Sequence, residues 1–526
     1  MSGIYESLIP EISARQLEEL LAECDKRDLK AMNKRMDYYR NDLEPVHPQS
    51  MSEDTWRDRR DNWTSIPLAH LLVDAIATGM YNREVERTTG NEAYDKALTP
   101  VWDKLTLTMP QNCRLASVVG DTVLRLAPDW RDGVRVSVWD GRHVIPIYDP
   151  DDPQTIIGLV YDYVADPVAS QIARVVKGTG AAEARMEIIT RHIRNPLTGA
   201  IEQPGIRARF IDGRRVPWEA DTDTDAYNPF GDFLDGVFWR NEMDMTAARG
   251  VPDLEHLLPM LQAVNESTTD ARLLLLWNLY PIIVTTAVFE EQPDYSHKAV
   301  WQTGMLPNGS PADVKMLEWS QNMDGYKTHY EHLLSLIHET ARIPSIATGD
   351  LTHIGELSSG RAYEIALRPY LDMIAEREKL CSIQEIELMR TMIAVLAYMG
   401  KAPFTGLTTN YGLGFDQPDP IRIDEATAEA SVTFEPVRVA EDAAIAAQAH
   451  SARIGAGFES VETAIRETHP DWSDDDVREE LERVGAGKAA VVDAAADLRI
   501  AQQQAELKSM ADKKQSSADS AEERTS

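Results

Sequence analysis

Cysteine is nearly absent from this chain. Its three copies, Cys24, Cys113 and Cys381, lie far apart and without CxxC spacing. An odd, scattered set argues against a disulfide framework and against a structural zinc site. Basic charge is also scarce: 53 Lys and Arg stand against 86 Asp and Glu, for a formal net charge of −33. So acidic a protein is poorly suited to wrapping DNA in a sequence-reading groove, because phosphates are repelled. A channel through which DNA must slide is a different case, since a tight grip there would be a fault. Long apolar runs are missing too. The nearest, LLLLWNLYPIIVTTAVF at 273–289, is slightly short for a membrane span and contains Asn278 and Pro281. It reads as the end of a buried helix followed by a buried strand from about Pro281. The N-terminal MSGIYESLIPEISARQ has no basic stretch followed by an apolar run, so no signal peptide and no membrane partner are expected, and synthesis in the cytoplasm is.

Catalytic signatures are equally thin. GAGK at Gly485–Lys488 resembles part of a phosphate loop, but Glu482 stands where the first Gly is needed and Ala489 where Ser or Thr is. A helix stop is the simpler reading. Asp221, Asp223 and Asp225 alternate like the start of an EF-hand loop, but Ala226 replaces the required Gly and Asp232 the twelfth-position Glu. They read as a solvated acidic loop, with an adventitious Ca²⁺ or Mg²⁺ as the alternative. His329, His332 and His338 fall on one expected helix, where an i,i+3 pair could hold zinc, but no HExxH follows, so surface or packing roles are favoured. GELSSG lacks the spacing of a nucleophile elbow. No cofactor, metal or catalytic residue is assigned, and nothing in the sequence asks for an enzyme.

What is present is a globular chain of 526 residues, 43% hydrophobic and 26% charged, sized for roughly three domains or one elaborate one. Helical spacing covers 11–42, with Leu17, Leu20, Leu21, Leu29, Met32 and Met36 on one stripe. Pro67 opens a second helix. AYDKALTPVWDKL makes a third, interrupted or kinked near Pro100. From Ala116 the period shortens, and TVLRLAPDW, GVRVSVWDG, HVIPIYDP, IIGLVYDYVA, ARMEIITRHI and GIRARFIDGRRVPW read as strands divided by turn signals. Residues 1–245 are therefore expected to be α+β. Pro252 and Asp253 mark a helix start, with Leu254, Leu257, Leu258, Leu261 and Val264 on one stripe. A β-rich insert with a PNGSP turn follows from Pro281, then a helix ending at Pro344. ASVTFEP reads as a strand. Further helices follow, one opened by a Ser-x-x-Asp cap at Ser473, before a polar tail expected to be disordered.

The most unusual stretch is GDLTHIGELSSGRAYEIALRPYLDMIAEREKL, Gly349–Leu380. A loop rich in glycine and small hydroxyl residues runs into a helical pattern that stops at Gly400, roughly 40 residues or about 60 Å long. That is far beyond the usual helix. Leu371, Ile374, Cys381, Ile386, Met389, Ile393 and Leu396 lie near one apolar seam, and Pro369 is placed to kink the rod. Without further information, a radial strut and a long helix inside a monomeric core are both open.

The order of these elements resembles the portal proteins of tailed bacteriophages, of the kind found in siphophages of actinobacterial hosts. The resemblance spans roughly residues 15–480. It is carried by NWTSIPLAHLLVDAIATGMY, GDTVLRL with IYDP, NPFGDF followed by GVPDLEHLLPMLQAVNESTTDARL, TARIPSIATGDLTHIGELSSGRAYEIALRPYLDMIAER, ASVTFEPVRVAED and GFESVETAIRE. It implies a portal-protein fold: an α+β wing over 1–252, stem helices over 253–280 and 324–344, and a small β-rich clip over 281–323. A tunnel loop over 345–359 would lead into a long wing helix and wing return over 360–440. A helical crown would cover 441–505, with a disordered tail over 506–526. The loop residues implied to face a DNA channel are Gly349, Asp350, Leu351, Thr352, His353, Ile354, Gly355, Glu356, Leu357 and Ser358. The resemblance further implies a homo-oligomeric ring, usually of about twelve subunits, at one capsid vertex of the virion. Double-stranded DNA would pass through it without base reading during packaging and ejection. Implied partners are the large terminase subunit, which would carry the ATPase, a head–tail adaptor, and the major capsid and scaffolding proteins. A cytoplasmic enzyme of unknown class and an acidic protein-binding scaffold are the competing expectations.

Overall fold

The computed structural model describes residues 28–129, 131, 133–149, 151–152, 154–164, 184–195, 197–211, 214–215, 227–243, 249–279, 282–285, 314–317, 323–349, 360–408, 421–436, 450–454, 456, 458, 460–468, 472–473 and 475–484. The chain divides into two compact units. One comprises 1–356 with 364–438, the other 357–363 with 439–526.

In the first unit, helix α1 (Leu29–Arg40) is capped by Asp28, whose carboxylate accepts from the Ala31 N–H at 2.9 Å. Helix α2 (Glu53–Asp61) was not expected from the sequence. Of its nine residues only Trp56 is buried, so no apolar stripe announces it. Its signal is instead the Ser52 cap, acids in the first turn and arginines in the last, which suit the helix dipole. Helix α3 (Leu68–Tyr81) follows Pro67 as expected and buries Leu72, Val73, Ile76 and Met80. Strand β1 (Val85–Thr88) leads to helix α4 (Glu92–Val119).

Helix α4 corrects the reading of the third helix and of the change of period at Ala116. It runs unbroken past Pro100 and Pro110 for 28 residues. Each proline removes one backbone donor, but Leu98, Val101, Leu105, Met109, Cys113 and Ala116 form a continuous buried stripe. At about 1.5–3 kcal/mol for each large apolar side chain, that burial outweighs the loss. Helix α1 packs on both α3 and α4.

Strands β2 (Asp121–Asp129) and β3 (Gly133–Asp140) form a hairpin, and Asp140 caps a short turn into β4 (Val144–Tyr148). Strands β5 (Ile156–Val164), β6 (Ala184–Thr190), β7 (Ile193–Arg194), β8 (Ile201–Gln203), β9 (Arg207–Ile211), β10 (Arg214–Arg215) and β11 (Gly236–Arg240) follow. Two antiparallel sheets result, ordered β11-β2-β3 and β10-β9-β6-β5-β4. Alternation sorts the second sheet's faces. Ile145, Val160, Ile188 and Phe210 make a small cluster on one face, while Val144, Leu159, Tyr161 and Ile189 join the main core on the other.

Helix α5 (Leu258–Leu279) begins five residues later than the Pro252–Asp253 signal suggested. The Asp253 N–H donates to Ser117 O at 2.9 Å, and 254–257 form turns. Its apolar stripe is buried as expected at Leu254, Leu257, Leu261 and Val264. Its buried polar residues also have work: Asn265 Oδ1 accepts from the Ile66 N–H (2.9 Å) and Thr269 Oγ1 from the Thr64 N–H (3.1 Å). Strands β12 (Ile282–Thr285) and β13 (Val314–Leu317) pair antiparallel; the rest of the β-rich insert lies outside the described residues. Helix α6 (Met323–Ala341) packs against α5. Helix α7 (Gly360–Tyr398) has 39 residues, about 58 Å at 1.5 Å each. Strands β14 (Leu407–Thr408) and β15 (Ile421–Arg422) pair in parallel, and β16 (Ser431–Phe434) pairs antiparallel with β1.

The second unit contains helix α8 (Val461–Thr468), capped by Ser460, and a helix over 475–484. The cap read at Ser473 is present and reciprocal. Ser473 N–H donates to Asp476 Oδ2 (3.0 Å), and the Asp476 N–H donates to Ser473 Oγ (3.4 Å). Among the described residues no helix is long and apolar enough to cross a membrane.

Candidate functional site: the base of the loop before the long helix

The loop that the sequence singled out leaves α6 through a well-fixed base. Arg342 takes a left-handed conformation (φ 57°), which ends the helix. The Ile343 N–H turns back to His338 O at 3.1 Å, and the Ile343 side chain is buried. His338 Nδ1 lies 2.8 Å from Ile343 O, so this histidine fastens the helix end. His329 and His332 are exposed on α6. Arg342 pairs with Glu376 of α7 at 3.1 Å. Residues Ser345–Thr348 form a 3-10 turn that packs on α3, and Gly349 closes it at φ 93°. Gly349 is therefore required for its backbone angle, since a Cβ there meets nothing within 4 Å. Asp350, Leu351, Thr352, His353, Ile354, Gly355, Glu356, Leu357 and Ser358 lie outside the described residues.

Beneath this base is a cavity of about 210 Å³, lined by Leu72, Ile76, Leu257, Ile343, Met373 and Arg377 among others. Arg377 is one of its polar members, with Glu242, Asp253, His256, Thr340 and Arg342. It donates to Asn241 Oδ1 at 2.9 Å and pairs with Asp253. Burial alone would lower the guanidinium pKa, but Asp253 overrides it and holds the group charged, above its ordinary range. Asn241 in turn donates to Val251 O at 2.9 Å. One arginine thus joins α7, the end of β11 and the approach to α5. Further along α7, buried Glu385 accepts from Arg87 at 3.1 Å and from the Tyr81 hydroxyl at 3.2 Å. Sequence reasoning missed both clusters. The available signal was charge at helical spacing on an apolar seam: Arg377 and Glu385 fall in line with Met373, Cys381 and Leu388.

The seam itself is occupied within the chain. Ile374, Cys381, Met389, Ile393 and Leu396 are buried in the main core, with Leu371 and Ile386 partly buried against it. This arrangement fixes the segment Ile343–Gly349 against α3 and ties α7 to the main core. Among the described residues no group of three or more His, Cys, Asp or Glu could hold a metal ion. Asp221, Asp223 and Asp225 lie outside the described residues, as does GAGK. Asp232 is held by Arg194 through two hydrogen bonds of 2.7 and 2.8 Å.

Residues 18–175 match the family model described as "Phage portal protein, SPP1 Gp6-like". The matched stretch is under a third of the chain and includes α1 to α4 and β1 to β5. No curated protein matches the chain. Among solved structures, it is similar to a chain of the "Virion of native gene transfer agent (GTA) particle", at 13% identity and TM-score 0.40, covering 83% of this chain and 98% of that one. It is also similar to a chain of the "Neck of empty GTA particle computed with C6 symmetry", at 12% identity and TM-score 0.40 with the same coverage. A third, from the "Neck of native GTA particle computed with C12 symmetry", gives 11% identity and TM-score 0.38, again over 83% and 98%. The chain is a mixed α and β protein with similarity to phage portal proteins, a structural family.

Proposed function

We propose that this chain is the subunit of a phage portal, a ring-shaped conduit at one vertex of a capsid. The observation that carries the reading is the family match over residues 18–175, which falls on the helices and strands that build the main core. The order of elements after it supports the same reading: a helix pair flanking a β-rich insert, then a loop, then a 39-residue helix. On this reading 1–252 form the wing, α5 and α6 the stem, 281–323 the clip, 345–359 the tunnel loop and 441–505 the crown. The fixed base at Ile343–Gly349 holds the loop, and α7 ties it to the core.

Charge gives the physical logic. A net charge of −33 denies a passing duplex a sticky surface, while loops touch its backbone without reading bases. Packaging would be driven by a separate terminase docking on the clip, with a head–tail adaptor taking its place later, and capsid and scaffolding proteins around the wing. The protein would be made in the host cytoplasm and end in the virion. Native mass spectrometry tests assembly. One chain is 58.9 kDa, and a closed ring of about twelve copies is expected. A monomer or dimer that persists at high concentration and with scaffold and capsid protein present overturns the reading and returns attention to an enzyme or an acidic scaffold.

A further inference from the structure

A cleft of about 410 Å³ opens in the first unit between α1, the segment after it, Trp63 and α5. Four carboxylates line it, from Asp37, Asp42, Glu44 and Glu266, against the single cation of Lys34. Nearby acids are matched by arginines. Arg35 on α1 pairs with Glu255, and Arg59 holds Asp270, one turn along α5 from Glu266, at 3.2 Å. In the cleft that match is missing. Among the described residues no hydrogen bond or ion pair engages the carboxylates of Asp37, Asp42 or Glu44, and Glu266 accepts only from the Gln262 amide, at 2.9 Å. Lys34 stands instead over the Tyr38 ring, 6.0 Å from its centre. The wall also holds a buried polar group without a partner. Tyr38 is 8% exposed, yet among the described residues its hydroxyl makes no hydrogen bond. Burial and then the Glu266 charge raise its pKa, so it stays a neutral hydroxyl whose oxygen can accept. Trp63 and Val46 add apolar lining, and Val46 is 76% exposed.

We propose that this cleft takes an arginine side chain from a basic segment of a partner protein, with the guanidinium shared among the carboxylates, the Tyr38 hydroxyl accepting one of its N–H groups, and a flanking apolar residue on Val46. The lining decides against a bare metal ion. Among the described residues no group of three or more His, Cys, Asp or Glu could hold one. Spread carboxylates suit instead a planar fork with five donors on a long apolar stem, which also stacks on aromatic faces such as Trp63. Nucleic acid is disfavoured, because its phosphates would meet the same four charges. The net charge of −33 draws a basic segment in.

The inference goes beyond the portal reading and does not need it. Binding can be read on monomer or ring, and its failure leaves the test of assembly untouched. The experiment is fluorescence anisotropy on the full chain with a labelled peptide of Arg-Leu-Gly repeats. The same peptide with citrulline for arginine, nearly isosteric and uncharged, is the control ligand. So acidic a chain attracts any cation, so the cleft variant Asp42→Asn, Glu44→Gln is compared with Asp103→Asn, Glu479→Gln, which removes two charges from exposed positions elsewhere. Saturable binding of the arginine peptide is expected, weakening with salt. The cleft variant should lose about tenfold in affinity, and the charge-matched variant less than about twofold. Tyr38→Phe, which keeps the ring, should lose about threefold, with its urea midpoint unchanged. No binding, equal binding of the citrulline peptide, equal losses in the two charge variants, or unchanged affinity in Tyr38→Phe would each overturn it. So would a cleft variant that loses only self-association, which would make the cleft an interface between copies.

Discussion

Two arginine clusters in the first unit show what the same side chain does in different surroundings. Arg125 lies between the sheets, stacked on Tyr161 at 4.0 Å and Trp139 at 5.1 Å. It donates to Asp235 at 3.0 Å and also pairs with Glu187, and the Tyr161 hydroxyl completes Asp235 at 2.9 Å. Burial works against its charge, and the two carboxylates overcome that and raise its pKa. Every charge there has a partner inside the chain. In the wider cleft lined by Arg191, Arg390 and Arg422, Arg390 and Arg422 stand 4.0 and 3.9 Å from Asp424, and Glu387 lies among Arg191, Arg240 and Arg390. The first cluster is closed inside the core, and the second opens on a cleft of about 840 Å³.

The comparison breaks most sharply at Asp235. Asp235→Ala strips Arg125 of one buried carboxylate and leaves the Tyr161 hydroxyl without its acceptor, so a loss of about 3–5 kcal/mol is expected in urea unfolding. Arg191→Gln in the cleft should cost less than about 0.5 kcal/mol by the same measurement. Equal losses would erase the distinction.

Two glycines sharpen it next. Gly79 on α3 is needed for space: a Cβ would stand 2.1 Å from Tyr370 Oη, which donates to Ala75 O at 2.6 Å. Gly79→Ala should therefore destabilise by about 1–3 kcal/mol despite alanine's better helix propensity. Gly349→Ala meets open space and carries only backbone strain, so about 1 kcal/mol is expected. Thermal unfolding of both variants checks the order.

The smallest effect is in pH. Burial pushes the Glu187 carboxyl up, but Arg125 and Arg209 together hold it below its ordinary range. A depressed carboxylate contributes stability above its unfolded pKa of about 4.3, and loses it as pH falls through the lower folded value. The stability advantage of the native chain over Glu187→Gln should therefore narrow as pH drops below about 4. An advantage that is flat or widens there would contradict the pairing.

The sequence made the long elements legible because their signals are local. The α7 seam and its stop near Gly400, the Leu254–Val264 stripe, the strands from 122 onward and the Ser473 cap all follow from spacing within a few residues. The short, charged α2 escaped because it buries one residue and has no periodicity to read. α4 was underestimated because prolines were weighed as breakers without the packing that overrides them. Of the ten loop residues expected to face a channel, only Gly349 falls among the described residues, and its positive φ gives the glycine a physical cause. The clusters at Arg377 and Arg125 join residues more than 100 and 60 positions apart. No local pattern announces such pairings.

The most direct test of the account is an image of the assembled protein. Cryo-electron microscopy of purified particles should show a closed ring, with the segment from Gly349 to Ser358 facing a central bore wide enough for duplex DNA and α7 running outward from it. A ring with that segment on its outer rim, or a particle with no bore, would contradict the central claim.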